Sequence, residues 1–546
     1  MSVARSSIIM ASGTVVSRIL GFARTALLAA MIGVTTNAAD AFGVANQLPN
    51  NVWAIVAGGV LNAILVPQLV RARSHDDGGL AYINRLLTLA IVVFGSITLI
   101  ATVAAPLLID LYTSGWSPSH LALATAFAYW CLPQLFFYGI YSMLGEVLNA
   151  RSAFGPYMWA PVLNNVVSLG GMVAYIFIFG LDPTGKTTVA HWGTGQITLL
   201  AASATAGAMA QALILFVSWK KIGIHFKPNF QWKGFGLRPA LKAGSWTLAM
   251  VLVTQIAGIF QSSVASSAVA GRSVADVASV AASGIAWLVF MLPHSVGTVS
   301  LATVYFTRIA THAHENRFDD VKTDLRDGMR LVALISVIGT VAITILSFPI
   351  SRVFVGEYAG TESLARVLIG FMVGLLPFSL GFFMQKAFYS LEDTKTPFWI
   401  TVVQSAIYIA GALAIQQVVN PVDRVAALAY LTSATTLVST VLYFVILKRR
   451  IGSFGHGLVA SMVRFVIAGA GSAATGWLAL QLIGGVGEGS FAVRSIVDAV
   501  IASTVVGIAI LIGFVVTLWI IRAPEFKLLQ SMIRPVTSRV RGMLKR

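Results

Sequence analysis

Charge is scarce in this chain of 546 residues: only 10% of its side chains are Asp, Glu, Lys or Arg. A soluble domain carries roughly a quarter of its residues charged, so a water-soluble globular class is excluded. Cysteine is nearly absent. The single Cys131 rules out an intramolecular disulfide, and its apolar neighbours predict a buried, inert thiol. The chain lacks a phosphate-binding glycine loop, a His/Cys cluster at metal spacing and a Ser/His/Asp arrangement. It is therefore read as a non-enzyme with no cofactor and no metal. Any transport must run on an ion gradient, the membrane potential or the substrate gradient. His312 and His314, beside Glu315, fit a solvated loop better than a metal site. No loop is long enough to hold a folded domain.

What is present is hydrophobicity, at 57% of residues and a mean hydropathy of +0.83. Uncharged runs such as 86–109, 243–271, 277–307 and 425–447 each exceed the ~20 residues that cross a bilayer core. The fold class expected is an all-α, polytopic membrane protein of about fourteen spans. They fall near residues 7–33, 41–70, 84–112, 121–149, 157–180, 194–218, 240–268, 279–309, 329–350, 362–391, 397–418, 425–447, 459–483 and 494–520. The organisation expected is two pseudo-symmetric bundles and a terminal helix pair. An N-terminal six-helix bundle takes 1–218, an amphipathic linker 219–239 and a second six-helix bundle 240–450. The terminal pair takes 451–520 and a basic tail 521–546. The first span carries two arginines and lacks a small-residue cleavage site, so it is expected to stay in place rather than act as a signal peptide.

The net charge of +17 does not point to nucleic acid, because the basic residues alternate from loop to loop. One set of loops holds Arg71, Arg73, Arg85, Arg151, Lys220, Lys227, Arg308, Arg326 and Lys448 to Arg450, among others. The intervening loops hold only Lys186, Arg272, Arg352, Arg366, Arg424 and Arg494. This positive-inside pattern places both termini in the cytoplasm, with the tail from Arg522 lying on anionic membrane lipids.

A weak internal repeat is visible. Leu132-Pro133, Leu148-Asn149-Ala150 and Phe154-Gly155-Pro156-Tyr157 resemble Leu376-Pro377, Tyr389-Ser390-Leu391 and Thr396-Pro397-Phe398. The stretch from Gly59 through Pro67 likewise echoes Gly297 through Phe306. Both matches fall at an offset of about 240 residues, as in transporters whose substrate site lies between repeats.

The candidate site residues are polar groups inside these spans. Arg18 and Arg24 come first, because a guanidinium stays charged and is costly in lipid. Six residues along a helix give ~9 Å of rise and about 120° of rotation, so the two converge only on an object as wide as a pyrophosphate. Interfacial snorkelling is the other reading. Asp40 is either an N-cap of the second span or the outer-gate partner of an arginine. Glu146 and Lys386 occupy matching helices of the two halves and are read as an inner gate or as interfacial residues. Asn62, Gln255, Gln261 and His294, with Asn164 and Asn165, either line a polar cavity or join helices by hydrogen bonds.

These residues resemble the MurJ (MviN) family of lipid II flippases, within the multidrug/oligosaccharidyl-lipid/polysaccharide exporter superfamily. The resemblance is carried by Ser17-Arg18-x-Leu20-Gly21-Phe22-x-Arg24, Asp40-Ala41-Phe42 and Leu48-Pro49-Asn50. It continues through Leu148-Asn149-Ala150, Ala160-Pro161-Val162-Leu163-x-Asn165, Ala387-Phe388-Tyr389 and Asp393-Thr394-x-Thr396-Pro397. It spans about residues 7 to 450. Three positions depart from the family pattern. Thr25 replaces an acid, Trp53 and Ala54 stand where an arginine is common, and Trp287-Leu288 stands where Asp-Arg is common. Ala57-Gly58-Gly59-Val60-Leu61 is the form seen in actinobacterial members.

The resemblance implies flipping of lipid II, the undecaprenyl-pyrophosphate-linked peptidoglycan precursor, between leaflets of the bacterial plasma membrane by alternating access. Arg18 and Arg24 would hold the pyrophosphate, with Asp40, Asn62, Gln255 and His294 in the substrate-binding set. The partners implied are lipid II, membrane lipids and cell-wall synthesis proteins. The alternatives are a flippase for another polyprenyl-linked glycan, a drug exporter with Asp498 as its buried acid, or a non-transporting scaffold for cell-wall assembly.

Overall fold

A computed structural model describes residues 3–57, 80–151, 154–221, 226–231, 237–273, 276–455 and 457–526. In chain order its helices are α1 (Val3–Ile32), α2 (Asn37–Val56), α3 (Leu80–Val103), α4 (Ala105–Tyr112), α5 (Pro118–Cys131) and α6 (Gln134–Ala150). Then come α7 (Phe154–Phe179), α8 (Thr194–Lys221), α9 (Leu237–Ser266), α10 (Val280–Pro293), α11 (Val299–His314), α12 (Phe318–Ile345) and α13 (Ser347–Phe354). The last are α14 (Tyr358–Met372), α15 (Leu375–Ser390), α16 (Lys395–Val418), α17 (Arg424–Ile451), α18 (Leu458–Leu482) and, after one turn at Phe491–Arg494, α19 (Ile496–Ile520). Among the described residues no strand occurs.

Twelve membrane-length apolar helices are present among the described residues, and the bent pair α14–α15 makes a thirteenth. The expected second span, 41–70, lies largely outside the described residues beyond Ala57. The other expected spans coincide with helices or with consecutive helix pairs. Large apolar side chains stay on the outside, Phe177 at 86% and Val418 at 81% exposure. That is the surface a lipid solvent permits and water does not.

The chain packs as two compact units. Unit 1 takes Met1–Ile285, Phe354–Gly360 and Thr401–Leu428; unit 2 takes Ala286–Val353, Thr361–Ile400 and Ala429–Arg546. The units do not follow chain order, since α10, α16 and α17 each begin in one and end in the other. Unit 1 is cored by Leu86, Phe94, Met143, Leu144 and Trp219. Unit 2 is cored by Leu325, Met329, Phe383, Phe388 and Leu447, with Phe465 and Phe514 bringing the last two spans against α12.

Lipid tails are as apolar as these side chains, so close contact rather than escape from water holds the helices together. Small residues make that contact possible. A Cβ on Gly139 would come within 2.3 Å of the Phe94 ring, and one on Gly513 within 2.0 Å of the Thr475 hydroxyl.

Breaks fall where proline or glycine removes a helical constraint. The α5–α6 span breaks at Leu132-Pro133, and α14–α15 bends by 43° just before Pro377. These are the positions that the internal repeat pairs. Pro293 ends α10 and is followed by a π-turn at His294–Thr298, in which the Val299 N–H donates to the His294 carbonyl. The α2 N-cap is Thr36, whose hydroxyl accepts from the Ala39 N–H, so the capping reading of Asp40 gives way to another role. In the linker, residues 226–231 have no regular secondary structure. The Lys227 and Asn229 N–H groups donate to Asn84 and Thr88 on α3.

Candidate functional site

Ser17, Gly21 and Arg24 follow an i, i+4, i+7 spacing and share one face of α1. Asn165 of α7 donates from its amide to the Ser17 carbonyl at 2.9 Å and to the Ser17 hydroxyl at 3.3 Å. A polar ladder continues into α8, where Asn164 donates to Gln211 at 2.7 Å and Ser168 to Asn164 at 3.3 Å. Asn164 and Asn165 thus join helices in this structure.

Arg24 is half-buried, and the side chain that acts on it electrostatically is Tyr138 of α6. The Tyr138 hydroxyl donates to Gln134 Oε1 at 2.7 Å, and Gln134 Nε2 donates to Asn46 Oδ1 at 3.1 Å. Among the described residues Arg24 has no carboxylate partner. Arg18, one position from Ser17 and off this face, is exposed.

Asp40 is wholly buried and saturated. Its Oδ2 meets Arg272 at 2.5 Å and its Oδ1 accepts the Ala281 N–H at 2.8 Å, while Arg272 also donates to Asn37. Asp40 therefore has an arginine partner, supplied by the turn between α9 and α10. The same end of unit 1 is tied by Trp116, which donates to the Ser266 carbonyl at 3.2 Å. Arg424 there donates to carbonyls of Ser267, Gln416 and Val419. A polar cavity of about 300 Å³ opens there, lined by Gly33, Thr36, Asn37, Thr187, Arg272 and Glu357. In the adjoining loop, burial alone would raise the Asp182 carboxyl. Backbone N–H bonds from Thr187 and Lys186, both 2.7 Å, outweigh it and hold the carboxyl below its ordinary value.

The other candidates are dispersed. Gln255 and Gln261 are half-buried on α9. His294 is 2% exposed in unit 2, within 3.0 Å of the Ser379 hydroxyl and packed edge-on to Phe378 and Phe382. It is embedded in an aromatic cluster that also holds Trp287, Phe290 and Phe371. Glu146 belongs to unit 1. Lys386 belongs to unit 2, where its ammonium sits 5.4 Å from the Phe382 ring centroid and 5.8 Å from that of Tyr389. Asn62 lies outside the described residues. Asp498 sits in the first turn of α19 and pairs with Arg494 at 2.9 Å. Among the described residues no group of three or more His, Cys, Asp or Glu side chains is placed to hold a metal.

Sequence reasoning missed Asn46, Gln134 and Tyr138, and it treated Arg272 only as a loop residue. The Gln134-x-x-x-Tyr138 spacing just after the Leu132-Pro133 break was the available signal for two of them.

Chemically, unit 1 offers a permanent cation among neutral amides and a phenol, an arrangement suited to a phosphate-bearing ligand. Unit 2 offers an apolar groove of about 490 Å³ lined by Met329, Met384, Phe444, Leu458, Met462 and Val466, among others.

Comparison with known proteins is consistent along the chain. The family described as "Lipid II flippase MurJ" matches residues 28–496. A probable lipid II flippase MurJ of Borreliella burgdorferi is 26% identical over 412 residues, covering 74% of this chain and 76% of that protein. One from Rhizobium tropici is 26% identical over 466 residues, covering 82% of each. Among solved structures, a lipid II flippase MurJ in an inward closed conformation aligns with a TM-score of 0.69 at 18% identity. It covers 94% of this chain and 99% of that one. An inward-facing multidrug resistance MATE transporter aligns with a TM-score of 0.60 at 16% identity, over 80% of this chain and 99% of that one. At such identities these two likenesses are of fold.

Proposed function

Because the chain belongs to the lipid II flippase MurJ family, we propose that Arg24, with Arg18, captures the pyrophosphate of the lipid II that it flips. The protein is a multi-pass membrane transporter that moves this peptidoglycan precursor from the inner to the outer leaflet. The observation that carries the site assignment is the charge of Arg24: a half-buried guanidinium in an apolar span with no carboxylate partner among the described residues. Such a charge is costly in a membrane unless an anion arrives to meet it. Guanidinium binds phosphate oxygens in pairs, which suits a pyrophosphate. The polyprenyl tail stays in lipid throughout, and two bundles rocking against each other expose the headgroup site alternately to each side.

The loop charges set the orientation. Lys227 and Arg449 are cytoplasmic and Lys186 and Arg424 face outward, so the Asp40–Arg272 pair belongs to the outer end. Labelling of Lys227→Cys by an impermeant thiol reagent on intact cells would overturn this topology. The deciding experiment for function compares the affinity of the purified protein for lipid II with that for an ordinary anionic lipid. A transporter prefers lipid II strongly and loses that preference in Arg24→Ala. A scaffold binds both equally weakly. The drug-exporter reading loses its motive, since the acid it relied on is paired with Arg494.

A further inference from the structure

We propose that residues 226–231 are a strap, bound through their backbone to the first turns of α3, and that this strap limits how far the start of α9 travels during transport. Its bearing on transport rests on the flippase reading; the strap itself does not.

The segment Phe226-Lys227-Pro228-Asn229-Phe230-Gln231 offers its amides in alternation. The Lys227 N–H donates to Asn84 Oδ1 at 3.1 Å and the Asn229 N–H to the Thr88 hydroxyl at 2.9 Å, while the Gln231 N–H donates to Asn229 Oδ1 at 3.0 Å. Between the first two stands Pro228, which has no N–H to leave unmet and biases Lys227 away from helical backbone. The receiving side chains match this spacing. Asn84 and Thr88 lie one turn apart on α3, a rise of ~6 Å, and two residues of non-helical chain advance by up to about 7 Å. Thr88 is 3% exposed and spends its one proton on the Asn84 carbonyl at 2.7 Å, so its oxygen meets the strap only as an acceptor. Arg85 secures one end by donating to Gln231 Oε1 at 3.0 Å, and Phe226 packs the other against the core of unit 1. α3 thus holds the segment largely by its main chain.

The consequence is one of reach. α8 ends at Lys221 and α9 starts at Leu237. The chain between them could span about 55 Å, whereas the part from Gln231 to Leu237 spans about 20 Å at most. The other end of α9 is held directly. There the Ser266 hydroxyl accepts the Ser114 backbone N–H at 2.7 Å, and the Ser266 carbonyl accepts the Trp116 indole N–H at 3.2 Å. A rod held at one end and tethered at the other swings only as far as the tether allows.

The test uses the full-length protein in nanodiscs. Nitroxides on Ala81→Cys and Ser245→Cys, exposed positions near the starts of α3 and α9, report the distance by pulsed electron resonance. Cys131 is buried and takes no label. Hydrogen exchange over 226–231 is read by mass spectrometry, and flipping rate and lipid II affinity are read in vesicles. Asn84→Leu/Thr88→Val should speed exchange over the strap by about tenfold or more. It should also lengthen and broaden the distance and slow flipping severalfold, with lipid II affinity unchanged. Thr88→Ser keeps the acceptor and should match wild type. A Gly-Ser insertion after Gln231 should broaden the distance and slow flipping while exchange over 226–231 stays as in wild type, a combination that lost packing would not produce. Unchanged exchange in Asn84→Leu/Thr88→Val overturns the strap. Normal flipping with the insertion, at a broadened distance, overturns its role in transport. If the double variant fails to fold, the insertion decides alone, since it alters none of the bonded residues. If the wild type moves no lipid II, the flippase reading fails, and exchange and distance still judge the strap.

Discussion

Unit 1 and unit 2 are built of the same apolar helices and bury different things. Unit 1 keeps its polar groups deep. Arg24, Tyr138, Gln134, Asn46, Asn164, Asn165 and Gln211 run through its helices, and Asp40 is sealed against Arg272. Unit 2 buries rings and methionines, and its enclosed polar groups are mostly hydroxyls such as Ser336, Ser379, Ser433 and Thr440 rather than amides. His294, its one deeply buried imidazole among the described residues, is enclosed by phenylalanines and Ser379. The ionic contacts of unit 2 gather on helix ends and loops instead, as at Arg308–Asp324, Arg450–Asp393 and Arg464–Glu525. The repeat in the sequence thus conserves a pattern of breaks while the chemistry of the two copies has diverged.

The strongest test of this contrast is the buried pair of unit 1. Arg272→Leu leaves Asp40 charged and wholly enclosed, which should cost about 3–5 kcal/mol. Thermal unfolding of the purified protein should show a large fall, with most of it recovered in Asp40→Asn/Arg272→Leu. An unchanged single variant would mean that the pair is solvated.

A cation moved into unit 2 comes next. Leu288→Arg places a guanidinium beside Trp287 and Phe290, with an insertion cost of roughly 2.5–3.5 kcal/mol at mid-membrane depth. The amount of protein in the membrane fraction should drop. Tighter lipid II binding at normal expression would instead put Leu288 on the substrate path and blur the contrast between the units.

Third is function in unit 1. Arg24→Ala and Arg18→Ala should each abolish complementation of a flippase-depleted strain while the protein still inserts. Each loses charge-assisted bonds of ~1.5–3 kcal/mol. Full growth of the double variant would remove both arginines from the site.

The smallest effect concerns Asp393 in unit 2, at the loop before α16. Burial alone would raise its carboxyl. The Thr396 N–H at 2.9 Å and hydroxyl at 2.7 Å, with Arg450, outweigh it and hold the carboxyl below its ordinary value. The stability it contributes is therefore present above its unfolded value near pH 4 and is lost as pH falls through the depressed folded one. Asp393→Asn should cost under about 1 kcal/mol at neutral pH. Its difference from wild type should narrow in acid, as read by unfolding midpoints from pH 7 down to pH 3.

Hydropathy made the spans legible, because lipid imposes a length and a composition on every crossing helix regardless of its neighbours. Pro133 and Pro377 were visible as members of the repeat, but 121–149 and 362–391 were expected as unbroken spans, and the breaks near the two prolines emerged only in the fold. What stayed hidden depends on partners distant in sequence. Asp40 looked as much like a cap as a gate, and only folding brings Arg272, 232 residues on, to its carboxylate. Gln134 and Tyr138 carry no charge, so only their i, i+4 spacing after the Leu132-Pro133 break marked them, and the partner Asn46 lies 88 residues away. His294 resembled a cavity residue because polarity was visible in the sequence and the encircling rings were not.

The π-turn at His294–Thr298 inserts one extra residue into an otherwise regular rod. Everything beyond it is turned by about 100° relative to an unbroken α-helix. Downstream, Arg308 and His312 meet Asp324 at 2.6 and 2.9 Å, while upstream Trp287 and Phe290 face Phe371. The two sets of contacts are in phase only because of that added residue. A single-residue deletion within the turn would leave every side chain upstream untouched, yet would swing Arg308 and His312 off Asp324.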